Sequence, residues 1–439
     1  MSKTDVAVVG AGWAGCAAAV ELARRGHTVT LFESARTLGG RARGVDVHGH
    51  TLDNGQHILL GAYRESLALM QRVGIDTRSA LLRLPLQMRY PPGSGGMDFV
   101  AARLPAPLHV GVALLRATGL TRADKLALAR FNTSARWMGW TLHLDCSVAE
   151  LLQRFDQTDN LVRLMWRPLC LAALNTPLEQ ASAQVFLAVL RDSLGARRAA
   201  SDMLLPRCDM GTLFPAAAAR YVEQHGGTVR LGTKAASIAH HARWSINDTD
   251  TFDAIVLATP AGQSANLLRG LDGAQDTVAQ LDAFTYEPIV TCYLQYDAAL
   301  RLPLPFYALL DDAANSQWGQ FVFDRGQLDA SQAGLLSVVM SAAADATALE
   351  HAALATAVAA QLAQALQLPA LQQPLWTQVI AEKRGTFSCT PGLSRPGNDI
   401  GMAGLALAGD YTASDYPATL ESAVRSGAAA ANLLARRTP

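Results

Sequence analysis

Short apolar segments that end at a glycine or a turn recur along this chain, and such segments are typical of buried parallel strands. The first covers residues 6–9 and ends at Gly10, and the second covers residues 28–32. Between them, residues 17–25 have the composition of a helix that ends at Gly26. A strand, a helix and a strand in this order predict a βαβ unit.

Later segments extend this pattern. Residues 252–260 and 403–408 are predicted to be buried strands, and residues 421–434 a helix near the end of the chain. Residues 284–296 alternate like a half-buried strand. Three segments rich in Leu, Met, Trp or Ala are predicted to be helices, at 120–140, 147–174 and 346–366.

Composition narrows the class of protein. The chain has 439 residues, 37 basic and 37 acidic side chains, and 50% hydrophobic residues. This length predicts roughly two to four compact domains. Because the charges balance, the chain has no excess of basic residues to bind a phosphate backbone, so no nucleic-acid partner is expected. A charged fraction of 17% together with the high apolar content excludes a disordered chain.

The start of the chain and the cysteines bear on the compartment. Residues 1–5 lead directly into the first strand and leave no room for a signal peptide. No apolar run reaches the roughly 18 residues of a membrane span, so the sequence predicts a cytoplasmic protein. The six cysteines lie far apart without metal-ligand or redox spacing, so neither a metal site nor a disulfide framework is predicted.

The turn after the first strand carries a G-x-G-x-x-G motif at residues 10–15, and an acidic residue follows about 20 positions later, at the end of the second strand. In such a turn Gly10 allows a tight bend, Gly12 lets the backbone approach a pyrophosphate, and Gly15 lets helix and strand pack closely. The helix N-terminus attracts phosphate, and the acidic residue accepts hydrogen bonds from ribose hydroxyls. The predicted dinucleotide contacts are Gly10, Gly12, Trp13, Ala14, Gly15, Glu33 and Ser34.

A second glycine-rich element indicates which dinucleotide is bound. It consists of Gly39, Gly40 and Arg41. Its guanidinium can give a second, bidentate contact to pyrophosphate, which a simple nicotinamide dehydrogenase does not need. Together with Glu33, this element resembles the FAD-binding signature shared by amine oxidases, phytoene desaturases and related flavoproteins.

Residues 53–57 (DNGQH) extend this resemblance, because in that superfamily a segment of this kind passes beside the flavin ring. The expected flavin contacts here are Gly55, Gln56 and His57. For His57 a second interpretation stays open, in which the ring is a turn histidine bonded only to the backbone.

The end of the chain resembles the second FAD motif of the same superfamily. The resemblance implies that Asp410 bonds a ribityl hydroxyl and that the helix start at Thr419 and Leu420 points N–H groups at the pyrimidine edge of the flavin. The implied contacts are Gly409, Asp410, Ala418, Thr419 and Leu420. Tyr411 stands where the family pattern has tryptophan, so an aromatic ring is retained.

A mid-chain strand at residues 226–233 resembles the strand that lays its backbone against adenine in these enzymes, with implied contacts Lys234, Ala235, Ala236 and Thr259. The resemblance therefore implies an α/β fold: a Rossmann-like FAD-binding domain (GR2-type) with an inserted α+β substrate domain. The expected FAD-binding domain is discontinuous, with residues 1–75, 205–268 and 380–439. The expected substrate-binding domain comprises residues 76–204 and 269–379.

Four segments resemble a narrower family, the hydroxysqualene dehydroxylases of squalene and hopanoid synthesis. They are residues 53–63, 286–289, 384–387 and 417–427. This resemblance implies FAD-dependent reductive dehydroxylation of hydroxysqualene to squalene, in which N5 of the reduced, non-covalently bound flavin gives hydride to the allylic carbon. It also implies a C30 isoprenoid collected at a membrane surface and prenyl synthases of the same pathway as partners.

Loss of hydroxide needs an acid. The candidates are Glu287, Asp53 and His57, and a buried carboxyl group is suited because burial raises its pKa. For Glu287 a strand-end surface acid is the alternative. Other functions also stay open: a carotenoid-type desaturase, an amine oxidase, covalent flavin attachment at Cys389, or a non-catalytic flavoprotein scaffold for prenyl synthases.

Two features of the inserted segments have two interpretations each. An apolar substrate tunnel or ordinary helix core would explain Trp137, Met138, Trp140, Met165 and Trp166. The basic and apolar segment 104–125 fits either a helix at a membrane interface or an ordinary amphipathic surface helix.

Overall fold

The computed structural model describes residues 4–437, so residues 1–3 and 438–439 of the predicted FAD-binding domain lie outside the described residues. The strands are β1 (Asp5–Val9), β2 (Thr28–Phe32), β3 (Gly44–Val47), β4 (His50–Asp53), β5 (Leu59–Leu60), β6 (Leu81–Leu84), β7 (Gln87–Arg89), β8 (Asp98–Val100), β9 (Met203–Pro206), β10 (Thr228–Arg230), β11 (Ile238–His240), β12 (Trp244–Ile246), β13 (Asp250–Phe252), β14 (Ala254–Leu257), β15 (Tyr286–Gln295), β16 (Phe306–Ala308), β17 (Phe321–Asp324), β18 (Leu335–Met340), β19 (Trp376–Phe387) and β20 (Leu405–Leu407).

The α-helices are α1 (Trp13–Arg24), α2 (Arg64–Arg72), α3 (Thr77–Ala80), α4 (Leu108–Arg116), α5 (Arg122–Trp137), α6 (Val148–Arg154), α7 (Asp159–Leu161), α8 (Arg167–Leu174), α9 (Ala183–Ser193), α10 (Arg198–Ser201), α11 (Met210–Leu213), α12 (Pro215–Gln224), α13 (Ala261–Leu268), α14 (Gln275–Asp282), α15 (Ala344–Thr347), α16 (His351–Leu366) and α17 (Leu420–Arg437).

A five-stranded parallel sheet forms the centre of one half of the molecule. Its order is β10-β2-β1-β14-β20. On the central strand, Val6 lies beside Val29 on one side and Ala254 on the other. The five strands come from three separated stretches of the chain. β1, β2, β14 and β20 are almost completely buried, because a parallel sheet carries helices on both faces.

Helix α1 connects β1 to β2 and is buried from Trp13 to Ala23 between the sheet and helices α12 and α17. Two glycines make the turn into this helix possible. Gly10 has a φ of +103°, and a Cβ there would lie 2.6 Å from the carbonyl oxygen of Ala258. A Cβ on Gly15 would lie 1.8 Å from the carbonyl oxygen of Gly10. These close approaches are the turn and packing roles expected of the first and last glycines of the motif.

A second five-stranded sheet, in the order β16-β17-β18-β15-β19, is antiparallel and forms the other half. Helix α16 packs on one face of this sheet, where Leu362 joins Val290 and Leu336 in a buried cluster. Strand β19 runs across residue 380, where the sequence placed a domain boundary. The pairing of β15 with β19 shifts register between Glu287 and Ile289, which places a bulge at a candidate catalytic residue.

The helices predicted at 147–174, 120–140 and 346–366 are wrong in their extent. The first is broken, because Asp156 adopts a φ of +48° and the Thr158 hydroxyl caps a new helix by accepting the N–H of Leu161. A π-helical turn, Val162–Trp166, then precedes α8. The second ends at Trp137, since Gly139 and Trp140 have positive φ. The third begins at His351, after the separate turn α15.

The helices of the inserted segment pack around buried aromatic residues. Trp140, Met165 and Trp166 lie in the core, and the Trp166 indole donates to Gln157 at 3.0 Å. These residues therefore follow the interpretation of ordinary helix core. Trp137 differs, because 90% of its surface is exposed. Among the helices within residues 4–437, none has the length and apolarity needed to cross a bilayer.

Candidate functional site

The loop between β1 and α1 meets the second glycine-rich element. The Gly39 N–H donates to the carbonyl of Ala11 at 2.9 Å, and Gly12 pairs with Gly39 as an isolated bridge. A Cβ on Gly12 would have only the Cα of Gly40 nearby, at 4.0 Å. Helix α1 starts here without a side-chain cap. The loop thus has open space in front of a helix N-terminus, as an anion-binding turn requires.

Glu33 lies at the end of β2 and faces this loop. Its Oε2 accepts the N–H of Ala11 at 2.9 Å, and its Oε1 accepts the N–H of Ala35 at 2.8 Å and the Ser34 hydroxyl at 3.2 Å. These bonds fix the carboxylate beside the glycine motif. Carboxylate oxygens have about four acceptor positions in total, so acceptor capacity for a hydroxyl donor remains.

The loop after β10 is tied to the same residue. The N–H of Thr233 donates to the carbonyl of Glu33 at 2.8 Å. The adjoining residues Lys234 and Ala236 are held by Asn247, whose side-chain amide donates to the Lys234 carbonyl at 2.9 Å and accepts the N–H of Ala236 at 2.7 Å. Ala235 between them is buried. The predicted adenine-side segment therefore adjoins the predicted ribose acid.

Arg41 joins the N-terminal and C-terminal motifs. Its Nη2 lies 2.6 Å from both carboxylate oxygens of Asp410, and its Nη1 donates to the carbonyl of Gly385 at 2.8 Å. Burial disfavours the charged guanidinium, but the Asp410 carboxylate outweighs burial and raises the pKa of Arg41. Burial also raises the pKa of Tyr286, and Arg41 acts against this, so the Tyr286 phenol faces the same pair. The two predicted cofactor contacts thus lie together, 369 residues apart in sequence.

The C-terminal motif is held from several sides. The Arg395 guanidinium donates to the carbonyl of Asp410 at 2.7 Å and to that of Tyr416 at 2.7 Å, and it lies over the ring of Phe387. Thr259, at the end of β14, connects through the Ser264 hydroxyl to the Tyr411 hydroxyl.

The start of α17 lies at the other end of this loop. Thr419 caps the helix, with its hydroxyl 3.1 Å from the N–H of Ser422. Its neighbours Ala418 and Leu420 are half-buried.

Residues 53–57 run from β4 toward β15. Asn54 fastens this segment to the arginine element, because its side-chain amide donates to the Arg41 carbonyl at 2.7 Å and accepts the Arg43 N–H at 3.2 Å. Gln56 accepts from Arg325 at 2.9 Å and from the Ser337 hydroxyl at 3.2 Å. The segment is therefore fixed by both halves of the molecule.

Gly55 is flanked by two polar groups without a partner. A Cβ on Gly55 would lie 3.9 Å from Nε2 of His57 and 4.0 Å from Oγ1 of Thr291. Within residues 4–437, neither of these buried atoms has a hydrogen-bond partner. Buried polar groups normally have one, so an unsatisfied pair at one place is typical of a ligand site. Burial lowers the pKa of His57 to about 4, so the ring is neutral at pH 7.

Asp53 lies at the inner end of this segment and is 2% exposed. Its Oδ1 accepts the N–H of Met210 at 2.8 Å, while Oδ2 has no partner within the described part of the chain. Burial raises the pKa of Asp53 to about 7, and the charge of Arg325 opposes the rise. This carboxyl group can therefore hold a proton near neutral pH.

Glu287 occupies the bulge in β15. Its Oε1 accepts the Ser388 hydroxyl at 3.0 Å, and its carbonyl accepts from the Asn175 side chain at 3.1 Å. Glu287 is half-buried. Thr291 lies four residues further along the strand, or roughly 13 Å at the usual rise per residue. Glu287 and Thr291 are therefore separated along β15.

A family model for flavin containing amine oxidoreductase matches residues 13–435. The chain belongs to this family. It is a flavin-dependent oxidoreductase, and the predicted fold class, a Rossmann-like domain with an inserted substrate domain, is confirmed. The open loop at Gly12, the acceptor Glu33 and the unpartnered His57 and Thr291 fit a bound flavin dinucleotide.

Three proteins illustrate what this chain is similar to. A hydroxysqualene dehydroxylase from Sinorhizobium fredii is 28% identical, covering 99% of each chain. A zeta-carotene desaturase from Synechocystis is 25% identical, covering 98% of this chain and 96% of the relative. The solved structure of cyclohexylamine oxidase from Brevibacterium oxydans superposes with a TM-score of 0.68 at 16% identity, covering 99% of each chain. The last of these shows a shared fold.

Sequence reasoning missed several residues that hold the site in place. Asn54 lay inside a recognised motif, and an asparagine next to a glycine often bonds neighbouring backbone, so it could have been found. Arg325 follows the acidic last residue of the otherwise apolar strand β17, and it is buried. A buried cation is rare and commonly indicates a specific partner. Arg395 and Asn175 gave no signal, since each acts on residues distant in the sequence.

Proposed function

We propose that this flavoprotein carries FAD non-covalently and reduces hydroxysqualene to squalene. The observation that carries the proposal is the protonatable Asp53 in one segment with the neutral, unpartnered His57. Replacing an allylic hydroxyl with hydrogen consumes one hydride and one proton and releases water. A buried carboxyl group that keeps a proton near pH 7 suits the delivery of that proton. The full-length similarity to hydroxysqualene dehydroxylase supports the same substrate.

The site has residues suited to both halves of FAD, and this supports a dinucleotide rather than a mononucleotide. Glu33 and the α1 N-terminus would hold the ribose and pyrophosphate of the adenosine half, with Arg41 beside the pyrophosphate and Asp410 beside the ribityl chain. The remaining contacts we propose are those predicted from the sequence: Trp13, Ala14, Gly15, Ser34, Gly39, Gly40, Gln56, Lys234, Ala235, Ala236, Thr259, Gly409, Ala418, Thr419 and Leu420. Reduced FAD would supply the hydride.

Non-covalent attachment is supported by the state of the cysteines. Cys389 is 2% exposed, its backbone is bonded to Thr176 and Ser182, and burial raises the pKa of its thiol to about 12. Such a thiol stays protonated and is a poor nucleophile.

In this proposal the chain's own residues supply the proton and the dry surroundings. Asp53 holds the proton, and neutral His57 accepts or donates a hydrogen bond at the hydroxyl without placing a positive charge near the departing water. Thr291 offers a second hydrogen-bonding group beside Gly55. Glu287 is proposed as the alternative acid, since its second carboxylate oxygen has no bond within residues 4–437.

The proposed reaction is tested directly by a single-turnover experiment without oxygen. The flavin of the purified protein is reduced, hydroxysqualene is added, and the oxidised flavin spectrum and the extracted lipid are followed together. We expect reoxidation of the flavin with one squalene formed per flavin. If the flavin stays reduced and no squalene appears, this substrate is wrong.

A second function, desaturation of a carotenoid precursor, is favoured by the similarity to zeta-carotene desaturase. It runs the flavin in the opposite direction, so a polyene precursor would bleach the oxidised flavin without air. A holoprotein that responds to neither substrate would instead favour a scaffold for the pathway's prenyl synthases.

Replacing Glu287 by glutamine tests the alternative acid. If Asp53 is the acid, the single-turnover rate falls less than about fivefold, because Gln keeps an acceptor for Ser388. If Glu287 gives the proton, the rate falls at least about 100-fold, the size of a general-acid contribution. Glu223→Gln, on the exposed face of α12, is the matched control and should leave the rate unchanged.

A further inference from the structure

The exposed apolar side chains of this protein are concentrated in one segment. Nine large hydrophobic side chains are exposed among residues 4–437, and six of them fall between residues 104 and 144. They are Leu104 (38%), Leu108 (57%), Leu115 (75%), Leu126 (65%), Trp137 (90%) and Leu144 (80%). Such a concentration on one part of a surface marks an interaction site, whereas single exposed leucines are ordinary.

Helix α4 is apolar on both of its faces. Its inner face, with His109, Ala113 and Leu114, is buried. Its outer face carries Leu108 and Leu115, which are seven residues apart and therefore on the same side. A helix that is apolar all round is normally buried on all sides. The leucines on the outer face of α4 are therefore not covered by any other part of the described chain.

Helix α5 follows α4 along the chain and contacts it. The Lys125 ammonium, near the start of α5, donates to the carbonyl of Leu115, at the end of α4, at 2.9 Å. Ala113 and Leu114 of α4 lie in one buried cluster with Leu128 and Phe131 of α5, so the two helices cover the same core. Leu108 and Leu115 on one helix and Leu126 and Trp137 on the other therefore belong to one surface, which we call the α4–α5 surface.

The charge of this surface is mainly positive. Residues 103–136 contain six cations and one acid, although the whole chain is neutral. The acid, Asp124, is 2% exposed and accepts from Thr121, Thr158 and Asn160. Among the described residues, none of the six cations forms an ion pair. They are Arg103, Arg116, Arg122, Lys125, Arg130 and Arg136.

Cations and apolar side chains alternate along α5. Arg122, Leu126 and Arg130 follow at four-residue spacing, and Arg136 and Trp137 close the helix. Next to Trp137 lies a shallow apolar depression, lined also by Thr133, Ser134, Met138 and Phe155. Leucine, an exposed tryptophan and flanking arginines are the composition of helices that lie in the headgroup region of a bilayer.

We propose that the α4–α5 surface docks this protein on a lipid bilayer that contains anionic lipids. The leucines and Trp137 enter the interface, while the six cations contact phosphate headgroups. The positive charge selects an anionic surface over a zwitterionic one, and it argues against a second copy of the same surface, which would bring six cations against six. This inference goes beyond the proposed reaction and holds for any substrate.

The test is flotation of the flavin-loaded protein with vesicles. Vesicles of phosphatidylcholine alone are compared with vesicles that contain about 30% phosphatidylglycerol, at about 0.1 M and 0.5 M NaCl. We expect binding to the anionic vesicles at low salt, at least about tenfold weaker binding without the anionic lipid, and a marked loss at high salt.

Substitutions in the α4–α5 surface test which residues contact the vesicles. Arg122→Gln combined with Arg130→Gln should weaken binding about 25-fold, at roughly fivefold for each cation. Leu115→Ser should weaken binding about tenfold. Leu375→Ser is the matched control, because Leu375 has nearly the same exposure (73%) but lies just before β19. All variants should keep their flavin absorbance.

Three results would overturn the inference: no vesicle binding, equal binding to both kinds of vesicle, or equal loss from Leu115→Ser and Leu375→Ser. If the protein binds no vesicle and forms dimers that Leu115→Ser dissociates, the surface is a protein interface. The anaerobic reaction in detergent measures the substrate separately, so failure of one proposal leaves the other standing.

Discussion

Replacing Gly12 by valine is expected to abolish flavin binding and leave the protein folded. Gly12 has φ −71° and ψ 179°, which valine adopts without strain. In the structure its missing side chain leaves open space in front of Gly40 and the α1 N-terminus. A branched side chain there would fill the approach to the helix N–H groups. We expect the dissociation constant for FAD to rise at least about 100-fold, or roughly 2.7 kcal/mol.

The measurement is flavin content and FAD titration of the apoprotein, with the melting temperature of the apoprotein as the test of folding. Gly262→Val is the matched control, because a Cβ there also meets nothing within 4 Å but the residue lies on α13. Gly15→Ala supplies the contrast. Its Cβ would meet the Gly10 carbonyl at 1.8 Å, so this variant should lose folding stability as well. A Gly12→Val protein that binds FAD normally would contradict the placement of the pyrophosphate.

The parts of the site that the sequence predicts are those built from short, local patterns. Gly10 and Gly15 follow from the backbone chemistry of a tight turn, and Glu33 from the fixed length of a βαβ unit. In the structure Gly10 and Gly15 make the close approaches of such a turn, and Glu33 accepts the N–H of Ala11. Contact between Glu33 and a ribose stays a prediction. The extents of the predicted helices were less accurate, since Thr158 and Asp156 act through capping and backbone conformation, which periodicity does not reveal.

The remaining parts depend on contacts between distant residues. Arg41 and Asp410 were each predicted as cofactor contacts, but nothing in the sequence indicated that they pair with each other. The environment of Asp53 is likewise set by Met210 and Arg325, 157 residues or more away along the chain. Burial and net charge around one group are properties of the folded chain. A sequence pattern therefore nominates Asp53, His57 and Glu287, while the structure shows that burial favours a protonated Asp53 and a neutral His57.

Replacing Asp53 by asparagine is expected to stabilise the protein increasingly as the pH rises. Below about pH 4 the carboxyl group is protonated in both the folded and the unfolded chain. Between pH 4 and 7 the unfolded chain releases this proton and the folded chain keeps it, so the native protein loses stability as the pH rises toward 7. Asparagine does not titrate and keeps an oxygen for the Met210 N–H. The stability gained should therefore increase by about 4 kcal/mol between pH 4 and pH 8.

Urea unfolding of both proteins across this pH range measures the effect. Asp248→Asn, at an exposed turn with a φ of +57°, is the control for the same substitution at an exposed site. A stability difference that stays constant with pH would mean that Asp53 is ionised in the native protein.

The protonation of Asp53 is expected to affect both the stability and the activity of the protein. If Asp53 is the acid, dehydroxylation by the native protein falls as the pH rises through about 7, because only the protonated carboxyl group can give a proton. Asp53→Asn should then lose the reaction and remain more stable than the native protein at pH 8, while keeping its flavin. An active Asp53→Asn protein with an unchanged alkaline limb would transfer the role of acid to Glu287. A carboxyl group whose removal raises stability and abolishes turnover is one retained for chemistry at a cost to the fold.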